Sequence, residues 1–325
     1  MGAFASGAYS YPHFKELLMS AEHTDHLLLL EANPQRMLSV SLSGDSVSVF
    51  VDNLGGTPDG IAIDYINRHI YWTNMGAEWS KNDGFIERAN FDGSDRTVII
   101  PKGATFTPKQ MQIDAEAGLI YWCDREGMRV MRVRTDGSDI TVLVETGSTE
   151  ADRADERLHC VGIALDREAG RMFWTQKGPP NAGEGRIFSA PLELPAGVSP
   201  RDRTDITLLF DNLPEPIDLE WDETNRTLYW TDRGDPPQGN TLNRSRFIDG
   251  TPGTHEILLS DLAEGIGLAL DVAHNRAFVS DLGGFVREAN LDGTGSPQVV
   301  LSGRGWLTGI ALWHRVGPWQ EDQPR

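Results

Sequence analysis

A short motif of strand-forming residues returns five times along the chain, and this repeat limits the fold more than any other feature. The copies are Ile70-Tyr71-Trp72-Thr73-Asn74, Ile120-Tyr121-Trp122-Cys123-Asp124, Met172-Phe173-Trp174-Thr175-Gln176, Leu228-Tyr229-Trp230-Thr231-Asp232 and Ala277-Phe278-Val279-Ser280-Asp281. The steps between the equivalent positions 72, 122, 174, 230 and 279 are 50, 52, 56 and 49 residues. A period of this length indicates that each repeat is one supersecondary unit stacked on its neighbours.

Each copy of the motif lies inside a larger unit. An element such as Gly60 to Asp64 precedes it, and an element such as Ile86 to Gly93 follows it. The second element ends in an Asp-Gly turn, after which comes a β-rich run such as Arg96 to Ile100. The unit therefore predicts four short strands, which we call A to D, and the whole chain is predicted to be all-β.

These three linked elements resemble the YWTD propellers of the low-density-lipoprotein-receptor class, from about residue 27 to residue 313. The resemblance implies a six-bladed β-propeller with four antiparallel strands per blade. Five repeats are complete, so the sixth blade must combine both ends of the chain: strand 308–313 is expected to pair with N-terminal strands within 27–52. Such closure removes exposed sheet edges. Disulfide-rich modules flank the propeller in those receptors; this sequence carries none, so a free-standing propeller is expected.

The domain organisation that follows is an N-terminal extension at 1–26, one propeller at 27–313 and a C-terminal tail at 314–325. Within the extension, Tyr9, Tyr11 and Phe14 either cover the propeller or mediate a contact. The Trp and Tyr residues of the B strands are interpreted as core wedges between blades.

Charge and cysteine content exclude several classes of function. The chain has 48 acidic and 29 basic residues, a net charge of −19, which repels nucleic acid and anionic membrane surfaces. Cys123 and Cys160 are too few for a disulfide framework. The sequence shows no apolar run of membrane-spanning length and no secretory signal pattern. These observations predict a cytoplasmic protein.

Strand direction decides which loops share a face of the propeller. The B–C and D–A loops emerge where strand A begins, which we call the top face, and the A–B and C–D turns emerge at the bottom. The longest segments on top are 75–84, 146–159, 177–185 and 233–240, whereas bottom turns are short except for 193–205 in blade 4. Insertions on one face commonly build a binding face, and neutral drift is the alternative.

Polar residues interrupt the small-residue pattern of the inner strands. Most A strands carry Gly and Ala at the first and third positions of a Gly-x-Ala pattern, but blade 3 has Gln110 and Gln112, and blade 5 has Asp218 and Glu220. A buried carboxylate requires a partner or acquires a raised pKa. These side chains therefore mark a site in the upper channel; the alternative is that Glu220 and Gln112 hydrogen-bond the backbone or hold ordered waters.

The first functional hypothesis is an enzyme acting on a small organic molecule by acid–base hydrolysis, elimination or isomerisation, that is, a hydrolase, lyase or isomerase. The candidate catalytic residues are Asp59, Lys109, His159, Asp218 and Glu220. The candidate substrate-binding residues are Gln110, Gln112, Trp79, Lys177, Arg233 and Trp306. No dinucleotide fingerprint, phosphate loop or thiol-metal cluster occurs in the sequence, so no redox cofactor is expected.

Two alternatives remain open. Six-bladed lactonases related to gluconolactonase and paraoxonase hold calcium or a similar ion in the channel, and Asp59, Asp218 and Glu220 are oxygen ligands suited to Ca²⁺ or Mg²⁺. However, no Asn occupies the aligned rim positions at the starts of the A strands, which are Asp59, Lys109, Val161, Ile217, Ile266 and Thr308. The other alternative is a non-enzymatic scaffold that binds a protein or peptide across the top face, with Trp79, Trp306 and Arg233 as anchors.

Overall fold

The fold was obtained as a computed structural model, which describes residues 23–316. These residues form six antiparallel sheets arranged as a six-bladed β-propeller, so the predicted fold class is confirmed. Every sheet is ordered A-B-C-D from the inside outwards. Tyr9, Tyr11 and Phe14 of the predicted extension lie outside the described residues.

Each blade contributes one strand of each type, and the ranges run from blade 1 to blade 6. Strand A spans Leu307–Val316, Pro58–Asp64, Pro108–Asp114, Cys160–Asp166, Glu215–Asp222 and Gly265–Asp271. Strand B spans His23–Ala32, His69–Asn74, Leu119–Asp124, Arg171–Gln176, Thr227–Arg233 and Arg276–Asp281. Strand C spans Gln35–Ser41, Gly84–Asn90, Arg129–Arg134, Gly185–Pro191, Thr241–Ile248 and Val286–Asn290. Strand D spans Val47–Val51, Thr97–Thr105, Thr141–Glu145, Thr207–Leu213, Glu256–Leu259 and Gln298–Leu301.

Blade 1 closes the ring as the sequence predicts. Its strand A comes from the C-terminal part of the chain and pairs antiparallel with the N-terminal strand B, for example Leu28 with Ala311 and His26 with Trp313. Both strands run beyond the predicted limits of 27 and 313, beginning at His23 and ending at Val316.

The core lies between the blades and is built from the B strands. Because side chains alternate along a strand, Trp72 packs on Leu28 of blade 1, whereas its neighbour Tyr71 packs on Trp122 of blade 3. Trp72, Trp122, Trp174 and Trp230 are all fully buried. The interpretation of these aromatic residues as core wedges is confirmed, and truncation of a buried Trp to Ala typically costs about 3–5 kcal/mol.

A β-bulge occurs at the same place in strand A of every blade. In blade 2, Pro58 pairs with Asn74 but Ile61 pairs with Trp72, so one extra residue is accommodated between them. The other five blades show a register shift at the equivalent position. A bulge breaks the two-residue alternation of side chains and re-aims those at the bulge.

The residue opposite the bulge ties neighbouring blades together. Thr73 Oγ1 accepts a hydrogen bond from Gly60 N at 2.7 Å and donates one to Lys109 O of the next blade at 2.8 Å. Thr175, Thr231 and Ser280 make the same pair of bonds in blades 4, 5 and 6. The Thr of the repeat motif is therefore an inter-blade link, and the strand A starts that it holds form the wall of the upper channel.

Irregular segments occur on both faces. The top D–A loop of blade 4 contains a short α-helix, Glu150–Arg153, and a 3-10 turn, Glu156–Leu158. Between residues 23 and 316, no helix has the length and apolar character needed to span a membrane.

At the bottom, blade 5 departs from the short-turn pattern as well as blade 4, because its C–D connection carries an extra strand, Thr251–Pro252. The expectation that only blade 4 is irregular there was wrong.

Candidate functional site

The upper part of the channel contains a buried ion pair between blades 2 and 3. Lys109 Nζ pairs with Asp59 Oδ2, and Gln110 Nε2 donates to Asp59 Oδ1 at 3.1 Å. Lys109 and Gln110 are consecutive residues, and the bulge of blade 3 lets both side chains reach the same carboxylate. Asp59 is 1% exposed and has a partner on each oxygen.

Burial lowers the pKa of Lys109, and the neighbouring Asp59 carboxylate opposes that effect. A buried ammonium is stabilised chiefly by its ion pair, so each charge of the pair depends on the other. This arrangement gives Lys109 and Asp59 a clear structural role in joining two blades.

Three of the four remaining rim positions are apolar, and the fourth is Thr308 of blade 1, whose Oγ1 donates to Pro58 O at 2.9 Å. Val161, Ile217 and Ile266 of blades 4, 5 and 6 form one buried cluster, with Leu282 packed against it. Together with the Asp59–Lys109 pair, these side chains leave little of the rim accessible to solvent. The predicted catalytic residues at this level therefore lie in a filled part of the channel.

Asp218 is held by backbone groups. Its Oδ1 accepts from its own neighbour, Leu219 N, at 2.9 Å, and its Oδ2 accepts from Leu268 N of blade 6 at 2.9 Å. Burial raises the pKa of Asp218 well above its ordinary value, and the negative charges of Glu220 and Asp59 raise it further. Both oxygens are directed at strand backbone, so this carboxyl joins blades 5 and 6.

Below these groups, Glu220 forms a hydrogen bond across the channel. Gln112 Nε2 of blade 3 donates to Glu220 Oε1 of blade 5 at 3.0 Å. Blade 4 lies between these two blades and carries the small Ala164 at the equivalent strand position. Unlike Asp59 and Asp218, both Glu220 and Gln112 are partly exposed. The lower channel therefore contains the accessible part of the predicted site.

Glu220 titrates near neutral pH. Burial raises its pKa from 4.5 to about 7, while the Gln112 hydrogen bond and the positive charge of Arg167 act in the opposite direction. Arg167 belongs to the A–B turn of blade 4; it pairs with Glu223 at 3.2 Å and donates from Nη1 to Ile113 O. A carboxyl with this pKa exchanges protons readily at pH 7.

His159 lies outside this group. Its Nε2 contacts Arg153 O at 2.9 Å, its Nδ1 is buried without a hydrogen-bond partner, and burial lowers its pKa. Among residues 23–316, no hydrogen bond links His159 to Asp59 or Glu220. The catalytic role of His159 stays a prediction, and its ring contacts the D–A loop of its own blade.

Two of the predicted substrate-binding residues are engaged in a salt-bridge network on top. Lys177 Nζ contacts Glu156 at 2.5 Å and Glu215 at 3.2 Å. Arg233 donates from Nε to Glu264 at 2.6 Å and lies 3.6 Å from Glu215. Glu215, which is almost fully buried, is thus shared by both cations, and Lys177 and Arg233 brace the loops of blades 4 to 6.

The two predicted tryptophans stand apart on the top face. Trp79, in the B–C loop of blade 2, is 48% exposed, and Trp306, which precedes strand A of blade 1, is 52% exposed. Arg125 lies 5.4 Å above the Trp79 ring, and Trp79 Nε1 donates to Thr57 Oγ1 at 3.4 Å. They are apolar surfaces on adjacent blades.

The predicted metal set is not assembled. The described part of the chain contains no group of three or more His, Cys, Asp or Glu side chains placed to hold one ion. The physical reason is that Asp59 is neutralised by Lys109, and Asp218 directs its oxygens at backbone N–H groups. Asp59, Asp218 and Glu220 therefore do not form the predicted Ca²⁺ or Mg²⁺ site in the described part of the chain.

Comparison with known proteins places the chain among its relatives. No family model matches it. It is 46% identical over 288 residues to a protein from Pyricularia oryzae named low-density lipoprotein receptor-related protein 1, an alignment covering 85% of this chain and 92% of that protein. The chain belongs to the family of that fungal protein.

A second relative comes from Cochliobolus heterostrophus and is named 3-hydroxyacyl-CoA dehydrogenase-like protein LAM1. It is 41% identical over 290 residues, which cover 85% of this chain and 60% of that protein. The chain thus spans less than two thirds of LAM1.

Solved structures share the architecture. The propeller of a nidogen/laminin complex has a TM-score of 0.68 at 20% identity, covering 89% of this chain and 98% of that chain. A gluconolactonase from Xanthomonas campestris, XC5397, has a TM-score of 0.61 at 16% identity, covering 89% and 95%. At these identities the likeness shows the fold.

Two residues that matter in this propeller were missed at the level of sequence. Glu215 occupies the rim position aligned with His159 and Glu264, so its alignment was a usable signal, although only the structure shows it between two cations. Arg167 lies in an ordinary short turn, and no pattern in the sequence distinguishes it.

Proposed function

We propose that this protein is an enzyme that transfers protons to and from a small polar organic molecule bound in the central channel. The class of reaction is hydrolysis, elimination or isomerisation without a redox cofactor. The observation that carries the proposal is Glu220, a partly exposed carboxyl with a pKa of about 7 at a strand A position where most other blades carry Ala.

Glu220 suits both directions of proton transfer. Near pH 7 its carboxylate accepts a proton from a substrate C–H group or from water, and the resulting acid returns the proton to a leaving group or a carbanion. General acid–base catalysis is most efficient when the pKa lies near the working pH. Gln112 orients the carboxyl through its 3.0 Å hydrogen bond.

Neighbouring charges complete the proposed site. Arg167 is near enough to influence the pKa of Glu220 and is placed to stabilise negative charge that develops on a substrate oxygen. Lys109 and Asp59 act as a paired structural layer above the reacting group and are not proton carriers in this proposal. Substrate access is proposed through the lower channel, where Glu220 and Gln112 keep accessible surface.

The relatives support this proposal in general terms. LAM1 carries an enzyme-like name, and the gluconolactonase XC5397 uses the same fold. Neither identifies the substrate of this chain.

The test is a comparison of the wild-type chain with Glu220→Gln. Ester and lactone hydrolysis and deuterium exchange next to a carbonyl are assayed from pH 5 to 9, with the exposed Glu116→Gln as matched control. We expect loss of about 100-fold or more in kcat/KM for Glu220→Gln only, and a wild-type rate that changes with pH near 7. An activity that survives Glu220→Gln contradicts the proposal; so does an infrared titration in which wild type and Glu220→Gln show the same carboxyl signals near pH 7.

A second candidate is protein or peptide binding on the top face. It is favoured by Trp79 and Trp306, which expose about half of their surface on adjacent blades. The name of the Pyricularia relative and the nidogen/laminin complex are consistent with it. A partner whose binding is lost in Trp79→Ala/Trp306→Ala but kept in Glu220→Gln identifies this role; loss in Glu220→Gln alone rejects it.

The proposal also includes a location and partners. We place the protein in the cytoplasm because Cys123 and Cys160 are both buried as free thiols, which a reducing compartment preserves. A small-molecule substrate is its main partner, and the charge of −19 disfavours nucleic acid and anionic membranes. Fractionation of cells that express the tagged chain tests the location.

A further inference from the structure

A cleft of about 450 Å³ lies on the bottom face between blades 5 and 6. One wall is the face of blade 5 that carries Tyr229, Arg244, Arg246 and Ile248, and the opposite wall is formed by the turns of blade 6 around Leu291. Its volume falls within the range of small-molecule sites. The cleft is separate from Glu220 and independent of the function proposed above.

The C–D connection that lines the cleft in blade 5 differs from the equivalent connection in blade 3. In blade 3 a tight turn joins strands C and D, with Asp136 Oδ1 accepting from Ser138 N at 2.9 Å. In blade 5 the connection is longer, and its extra strand Thr251–Pro252 pairs with Phe247 and Ile248. Residues of this connection extend the wall of the cleft.

One Tyr and two Arg side chains occupy equivalent positions in both blades. Pairing of strands B and C aligns Tyr121 with Arg132 in blade 3, and Tyr229 with Arg244 in blade 5. Two residues further along strand C stand Arg134 and Arg246. The contacts of the two arginines in blade 3 can therefore be compared directly with those of the two arginines in blade 5.

The two blades differ in the contacts of the second arginine, which is Arg134 in blade 3 and Arg246 in blade 5. Arg134 lies 3.9 Å from Asp139, a carboxylate supplied by the tight turn. Arg244 is engaged by Glu256 at 2.7 Å and by Leu291 O, much as Arg132 is engaged by Glu193. Within the described residues, the Arg246 guanidinium has no hydrogen bond or ion pair, although it is exposed on the wall of a cleft.

The surroundings of Arg246 restrict the chemistry of a ligand. Ile248 is 67% exposed on the same wall, so an apolar group gains contact there. Glu256 and Asp292 also line the cleft and repel a multiply charged anion. A guanidinium binds a carboxylate through two parallel hydrogen bonds.

We propose that this cleft binds a small organic monocarboxylate, whose carboxylate pairs with Arg246 and whose apolar chain lies against Ile248. The Tyr229 hydroxyl, with its pKa raised to about 12 by burial, stays protonated at the base of the same wall.

The experiment is calorimetric titration of the full chain with hexanoate at pH 7, with acetate, hexan-1-ol and inorganic phosphate as comparison probes. We expect hexanoate to bind more tightly than each of the others. Arg246→Gln should weaken hexanoate binding about tenfold, and Arg246→Lys less, because a charged bidentate contact is lost. Arg134→Gln, the equivalent change in blade 3, should leave it unchanged.

Three outcomes overturn the proposal: no hexanoate binding by the wild-type chain, equal binding of hexanoate and hexan-1-ol, or equal affinity of Arg246→Gln and wild type. Ile248→Ser provides a second variant, which should weaken hexanoate binding while leaving acetate unaffected. Glu220→Gln should bind hexanoate normally, so failure of the cleft proposal and failure of the proposed channel chemistry are distinguishable.

Discussion

The upper and lower levels of the channel each contain a carboxyl group, and the two groups differ in their hydrogen-bonding partners. Asp59, in the upper level, is almost wholly buried, yet it is paired with Lys109 and Gln110. Glu220, lower down, has a neutral amide as its hydrogen-bond partner and keeps some exposure. The comparison teaches that the partner decides the role: a buried cation makes a carboxylate structural, whereas burial beside an amide makes it titrate near neutral pH.

The largest expected effect comes from removing the cation of the upper level. Lys109→Met leaves the Asp59 charge buried without its ion partner, so the free energy of unfolding at pH 7 should fall by about 3–5 kcal/mol. Urea unfolding followed by tryptophan fluorescence measures this change.

The matched control is the double variant Asp59→Asn/Lys109→Met. It removes both charges and should recover part of the lost stability. Equal destabilisation of the single and double variants would contradict the comparison, because it would show that the buried Asp59 charge does not depend on the Lys109 cation.

A smaller effect concerns the pH dependence of stability at the lower level. The folded pKa of Glu220 is about 7 and its ordinary value is 4.5, so the folded chain binds this proton more tightly than the unfolded chain. The stability contributed by the proton is complete below pH 4.5 and is lost as the pH rises to 7, a loss of about 3 kcal/mol.

Glu220→Gln abolishes that contribution. Urea unfolding of wild type and variant at intervals from pH 4.5 to 8 should show the variant gaining stability relative to wild type across this range. Parallel curves would show that Glu220 titrates at its ordinary value.

The smallest expected effect sharpens the role of Gln112. Its hydrogen bond lowers the pKa of Glu220, so Gln112→Leu should raise that pKa further above 7, by less than about one unit. Infrared or NMR titration of the Glu220 carboxyl measures the shift. Gln110→Leu is the control, since Gln110 contacts Asp59 and should leave the Glu220 titration unchanged.

The fold was predictable because it repeats. Five copies of a Tyr-Trp-Thr-type motif at steps of about 50 residues predict the strands, their grouping into blades and the closed ring. The composite first blade follows because five repeats are complete and a six-bladed ring needs one more. The departures from Gly-x-Ala also singled out Gln112 and Glu220, which are joined by a hydrogen bond in the structure.

The pairings inside the channel were not predictable. Gln112 and Glu220 are 108 residues apart, and their contact depends on the position of two blades on either side of a third. The strand A bulge, which brings both Lys109 and Gln110 to Asp59, has no local sequence signal. The direction of the His159 ring is set by the fold of its loop, which the sequence does not show. Arg246 was overlooked because only the structure shows that its guanidinium has no hydrogen bond or ion pair within the described residues.

The composite first blade has a consequence for how the chain reaches this structure. Its strand A lies some 280 positions after the strand B that it pairs with, as in the contact between Leu28 and Ala311. During synthesis, five blades are therefore translated before the last seam can form, and the N-terminal strands wait with an unpaired edge. Joining such distant segments is slow because of the chain entropy it removes. Until its last strand is made, the nascent ring thus keeps one defined unpaired edge, on strand B of blade 1.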